Sequence, residues 1–194
     1  MRGPFAIVLA AIASIGAPLA PSLAQQPAIP RLEVSAMVGR AGTDGADFSG
    51  TNGGLAFGGS VRARLAGPLS VGAGVHYSDH SLISLPNHIH FTAIYGEARV
   101  GAKIVGVPAR LFVGIRGGWA HELYTIVRYT ANGWVAGGAV GVDWRLARLV
   151  SVELQVSETA VRLGAVKQGD GTAVPGSSAH GSSTGMQAGV VLTP

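Results

Sequence analysis

Two runs of strict alternation, broken by Gly106-Val107-Pro108, fill residues 97–118, EARVGAKIVGVPARLFVGIRGG. In the first run Ala98, Val100, Ala102 and Ile104 share one face, and Glu97, Arg99, Gly101 and Lys103 share the other. In the second, Leu111, Val113 and Ile115 oppose Arg110, Phe112, Gly114 and Arg116. Successive side chains of a strand point to opposite faces, so this stretch predicts a β-hairpin with one apolar and one charged face. Which face looks outward decides what kind of protein this is.

The same period recurs along the chain. It predicts strands over about 32–40, 54–66, 69–78, 88–104, 109–121, 133–146, 149–161 and 184–193. The intervening segments alternate between long and short. The long ones are 41–53, 79–87, 122–131 (of which 123–129 extends the strands on one reading) and 162–183; the short ones lie near Gly67-Pro68, Gly106-Val107-Pro108 and Ala147-Arg148. Long loops therefore gather at one rim, with short turns and both termini at the other. Eight antiparallel strands of this kind close into an up-and-down barrel whose interior is just filled by side chains.

Ahead of the strands stands MRGPFAIVLAAIASIGAPLAPSLA, one Arg followed by an apolar run and small residues at Ser22 and Ala24. It predicts a secretory signal over residues 1–24, a short periplasmic lead over 25–31 and a barrel over 32–194. Pro18 and Pro21 and its short length argue against a membrane anchor. The chain has no cysteine, so an exported fold is held by its own packing or its surroundings.

Composition bears on the orientation of the faces. Only 12% of residues are charged, against roughly 25% in ordinary soluble domains, while 47% are hydrophobic. After the signal no run approaches the ~20 apolar residues of a membrane helix, so the hydropathy resides in strands. Trp134 and Trp144 share one face ten residues apart. At a rise of ~3.3 Å and a tilt of ~40° they project roughly 25 Å apart, the height of an outer-membrane apolar band with aromatic edges. Trp119 and Tyr77 fall on apolar faces near the long-loop rim. The opposite faces mix Glu33, Glu97, Asp143 and Glu153 with Arg62, Arg64, Arg99, Lys103, Arg110 and Arg116. Buried charges persist when paired, and a lumen of ion pairs meets that need. The sequence leaves open which acid meets which base. A soluble exported barrel with an apolar core, as in lipocalins, is the opposite orientation of the same pattern.

The net charge of +4 rests on arginine, since Lys103 and Lys167 are the only lysines. The bases are spread singly without an aromatic platform, which argues against nucleic-acid binding.

The signal, eight alternating strands, loop asymmetry and Trp pair together resemble the small eight-stranded outer-membrane barrels of Gram-negative bacteria, the OmpA-transmembrane-domain and OmpX type. The resemblance covers the mature chain and rests on pattern. It implies an integral outer-membrane, porin-like β-barrel at the cell surface, monomeric, surrounded by membrane lipid and lipopolysaccharide, with a structural or adhesive role exercised through its loops. That family usually ends its last strand in Phe or Trp, read by the assembly machinery. Here the last residues are Val191-Leu192-Thr193-Pro194, which implies a different assembly route or an atypical lineage.

Chemistry is sparse. All six histidines, His76, His80, His88, His90, His121 and His180, fall near the long-loop rim. His76/His80, with Asp79 between them, and His88/His90 offer ligand pairs, but no spacing matches a metal motif. The expectation is a polar rim, with no metal, cofactor or catalytic residue assigned. The alternative is a lipid-modifying enzyme. Lipid A deacylases resemble one another in a lipid-facing His-x-Ser-Asn segment, absent here. Ser157-Glu158 has no nearby His. Asp79-His80 resembles the acid–His neighbours of barrel proteases, which have ten strands. The Gly-rich segment GTDGADFSGTNGG (42–54) lacks P-loop and calcium-loop spacing and is expected to be a flexible surface loop.

Overall fold

The computed structural model describes residues 31–194 except 46, 47, 49, 66 and 84–86. The expected signal segment and residues 25–30 of the lead lie outside the described residues. Eight strands follow in chain order: β1 (Arg31–Asp44), β2 (Gly54–Arg64), β3 (Leu69–Ser81), β4 (His88–Lys103), β5 (Ala109–Tyr124), β6 (Tyr129–Arg145), β7 (Val150–Leu163) and β8 (Ala179–Leu192). Each pairs antiparallel with its sequence neighbour, and β1 pairs with β8 to close the barrel. Closure leaves no unpaired edge. Followed through all eight registers, the ladder returns to β1 ten residues from where it left. That stagger goes with strands tilted about 35–45° from the barrel axis.

Three tight turns make one rim. Gly67 and Gly106 take positive φ in the first two, a conformation that side chains with a Cβ resist. The register is then fixed by bonds such as Ile104 N–H to Ala109 O (2.9 Å) and Leu146 N–H to Val150 O (3.0 Å).

At the opposite rim six strands, β1, β3, β5, β6, β7 and β8, run beyond their expected ends. Residues 122–131 are not a long loop: β5 and β6 extend to a four-residue turn at 125–128. The segment 162–183 shrinks to 164–178, with bridges of Lys167 to Thr130 and Ala173.

The pleat sorts the faces as the alternation predicts. Leu32, Val34 and Val38 of β1, Leu111 and Ile115 of β5, Leu154 and Val156 of β7 and Met186 and Val190 of β8 are exposed on the outer wall. Glu33, Arg62, Glu97, Arg99 and Glu153 are buried inside. Val113 stays in the outward row at 8% exposure, between Val100 and Val140 of its neighbours. Trp119 and Trp134 are cross-strand partners at one level of the outer wall, and Trp144 marks the other end of β6. Glycines make room in the lumen: a Cβ on Gly74 would lie 2.7 Å from the Tyr95 ring, and one on Gly141 2.6 Å from Phe112.

Ile115 lies midway along β5 between Ala109, partner of Trp144, and Trp119. Ile115→Arg therefore places a charge at mid-depth and costs about 2–4 kcal/mol, whereas Val105→Arg, in the turn and 98% exposed, costs about 0–1 kcal/mol. Urea unfolding in lipid vesicles measures both.

Candidate functional site: the filled lumen and the histidine rim

Arg62 of β2 is the hub of the lumen. It is 2% exposed and meets Glu153 Oε2 at 2.8 Å, Glu33 Oε2 at 3.4 Å and Glu97 Oε1 at 3.7 Å. Arg99 of β4 shares two of these acids, at 2.8 Å to Glu153 and 3.0 Å to Glu97. Arg64 caps Glu33. The three acids come from β1, β4 and β7 and the bases from β2 and β4, so one network ties together distant walls of the barrel. The lumen thus answers which acid meets which base. Neighbouring layers continue the plug. The Arg99 guanidinium lies 4.4 Å from the centre of the Phe112 ring, and Arg116 lies 5.1 Å from that of Tyr95. Gln155 donates to Gln187 (3.0 Å), and the Ser35 and Ser60 hydroxyls bond at 2.8 Å.

Towards the long-loop rim the filling changes character. Phe91, Ala93, Ala120, Ala131, Val135, Val161 and Leu163 form an inward apolar cluster, completed by Phe48. Phe48 comes from the segment expected to be a flexible surface loop. Its N–H bonds Gly45 O and its carbonyl accepts from Thr51 N–H, both at 3.1 Å, and the side chain is buried in the barrel mouth. The reading of that segment as a free loop is corrected at this point: one aromatic in a Gly-rich stretch is enough to anchor it. Buried Asn87 ties the next loop down, its Oδ1 accepting from Thr125 Oγ1 (2.9 Å) and Ile126 N–H (3.1 Å).

Across this level the two faces exchange polarity while the pleat keeps its phase. On β4, Ile94, Ala98 and Val100 face out and Glu97 and Arg99 in; nearer the rim, His88, His90 and Thr92 face out and Ile89 and Phe91 in. On β7 the outward row passes from Leu154 and Val156 to Glu158 and Arg162, and the inward row from Glu153 and Gln155 to Val161 and Leu163. A barrel wall in water buries apolar residues, and a wall in hydrocarbon exposes them. The exchange therefore marks where the hydrocarbon ends.

The histidines divide between the two faces. His76 and His80 point inward, and His80 bonds the Ser78 hydroxyl (2.9 Å) and Asn52 O (3.3 Å). Asp79 points outward and away from them. It meets the other pair instead, His88 Nδ1 at 3.0 Å and His90 Nε2 at 3.7 Å, with the Tyr77 ring 5.7 Å from that of His90. The first expected ligand pair thus loses its carboxylate to the second, because neighbours on a strand cannot share a face. Among the described residues no group of three His, Cys, Asp or Glu is placed to hold a metal ion. His121 bonds Asn132 Oδ1 (2.8 Å) on the outer wall. The same pleat separates inward Ser157 from outward Glu158.

Solved structures share this architecture. Neisserial surface protein A aligns with a TM-score of 0.65 at 13% identity, over 88% of this chain and 100% of that one. A major outer membrane protein from Thermus thermophilus aligns with a TM-score of 0.54 at 12% identity, over 85% of this chain and 99% of that one. The fold is that of the small eight-stranded outer-membrane β-barrels. No protein-family model and no curated protein matches the sequence. The likeness is one of architecture, and the apolar outer wall supplies the physical reason for it: in this outer-membrane barrel that wall faces lipid.

Removing one partner from a buried ion network strands the others, at a cost of about 3–5 kcal/mol. Arg62→Met should show that loss in urea titrations. Arg40→Met, on the outer wall with one 3.4 Å bond to Gly53 O, should change stability by less than about 1 kcal/mol.

Proposed function

We propose that this outer-membrane barrel has a structural and surface-interaction role, carried out by its outer wall and long-loop rim rather than by passage through its lumen or by catalysis. The filled lumen carries this reading. The Arg62 network crosses it at mid-depth and the Phe48 cluster crosses it near the rim. Two cavities beside Phe91, one reaching Tyr95 and Arg116 and the other lined by Phe48 itself, measure about 20 and 10 Å³, the size of a single water. What remains for contact with other molecules is the exterior. Above the apolar belt it presents Arg40 and Arg162 with the His88, His90, Asp79 group, bases suited to the phosphates of lipopolysaccharide in the outer leaflet. Beyond them stand the segment 164–178 and the turn 125–128, where Arg128 and Lys167 line an open cleft that offers a surface partner two cations. A closed barrel with no free edge supports a monomer. Against catalysis stands the separation of each adjacent acid–His or Ser–acid pair onto opposite faces.

A chain without cysteine allows a direct test of orientation and role. In intact cells S178C should react with an impermeant maleimide, and V105C only after permeabilisation. The reverse pattern overturns the reading of the long-loop rim as the surface. In planar bilayers the folded barrel should give no stable current steps, and discrete steps would overturn the closed lumen.

A further inference from the structure

The lumen's charges balance at mid-depth and fail to balance at the short-turn mouth. Arg64, Lys103, Arg110 and Arg145, from four different strands, line a cavity of about 230 Å³ there, together with Asp143 and Ser151. Among the described residues few acids face them. Glu33 is shared between Arg64 and the Arg62 hub. Arg110 gives one N–H to Pro68 O. Lys103 and Arg145 make no ion pair among the described residues. Arg64 Nε and Asp143 Oδ1 are buried without a hydrogen-bond partner. The turns at 65–68, 104–108 and 146–149 contain no acidic side chain, while Arg31 and Arg148 add further positive charge to this end.

Four bases converging on a walled cavity concentrate positive potential and draw in an anion. Guanidinium groups bind oxyanions through paired N–H donors, and the Lys103 ammonium adds a compact charge. The cavity is smaller than the about 300–1,000 Å³ of drug-sized sites, so it admits a small ion with part of its water. Cations arriving from several sides match a tetrahedral oxyanion better than the planar pair of oxygens of one carboxylate. The acid selects further. Asp143 Oδ1 is an acceptor lacking a donor, and an anion that carries its own O–H supplies one. Monohydrogen phosphate has that hydrogen; sulfate at neutral pH does not.

We propose that the short-turn mouth of the barrel is a binding site for inorganic phosphate, held by Arg64, Lys103, Arg110 and Arg145 and distinguished from sulfate by Asp143. The proposal goes beyond the surface role and does not depend on it. It adds a site at the opposite end of the molecule, and the filled lumen makes that site a dead end.

Isothermal titration calorimetry of the full barrel in neutral detergent micelles, with phosphate and with sulfate, tests it. Phosphate should bind saturably and more tightly than sulfate. The double variant K103Q/R145Q touches no described ion pair and should stay folded by heat-modifiability. It should bind phosphate weaker by roughly tenfold or more, the usual scale for lost charge-assisted contacts. D143N should narrow the preference for phosphate over sulfate. The proposal is overturned by the absence of saturable phosphate binding, by equal binding of the two anions to the unaltered protein, or by undiminished binding in K103Q/R145Q.

Discussion

The fold depends on a buried arginine. Arg62 is almost wholly desolvated, yet three carboxylates from three strands converge on its guanidinium. Placing such charges out of water is costly unless they are paired and hydrogen-bonded. Here the partners lie on β1, β4 and β7, so the pairing is complete only when the sheet has closed. The network therefore acts as a condition on topology: an open or misregistered sheet strands an arginine or a glutamate in the interior. Lipid cannot provide this specificity, because one apolar side chain on the outer wall is as soluble in hydrocarbon as the next. The wall supplies insertion, and the lumen specifies register.

The polarity exchange near the long-loop rim extends the same reasoning. Below it the sequence is written for hydrocarbon outside and charge inside; above it, for water outside and Phe91, Val161 and Leu163 inside. The strands continue through the boundary without a change of pleat. One barrel therefore has two kinds of core stacked end to end, with Arg116 against Tyr95 near the junction. The upper core buries its apolar side chains, Phe48 among them, as a core surrounded by water does.

That exchange also explains what the sequence can and cannot reveal. Period-two alternation identifies all eight strands and the face of nearly every residue in the belt, because the outer row there is uniformly apolar. The boundaries fail at the rim for a physical reason. In 122–131 and 179–183 both rows carry small or polar residues such as Glu122, Thr130 and Ser182, and the contrast that defines a strand vanishes although the backbone ladder continues. The histidine pairs mislead for a related reason: sequence proximity places Asp79 with His80, and the pleat places it with His88 and His90. The ion-pair partners are beyond reach, since Arg62 and Glu153 stand 91 residues apart and meet only across the closed lumen.

The unevenness of the charges along the axis follows from how the two rims are built. The three short turns of this chain are made of Gly, Pro, apolar residues and Arg148, with no acidic side chain among them. Among the residues lining its mouth Asp143 is the one acid, against four bases, of which Arg64 also pairs with Glu33. The longer rim has room for Asp44, Asp79, Glu122 and Asp170 against its own bases. A filled lumen separates the two ends electrically, because the balanced Arg62 layer lies between them. The asymmetry is thus a stable property of the fold, and it makes the mouth on the short-turn side chemically distinct from every other surface of the barrel.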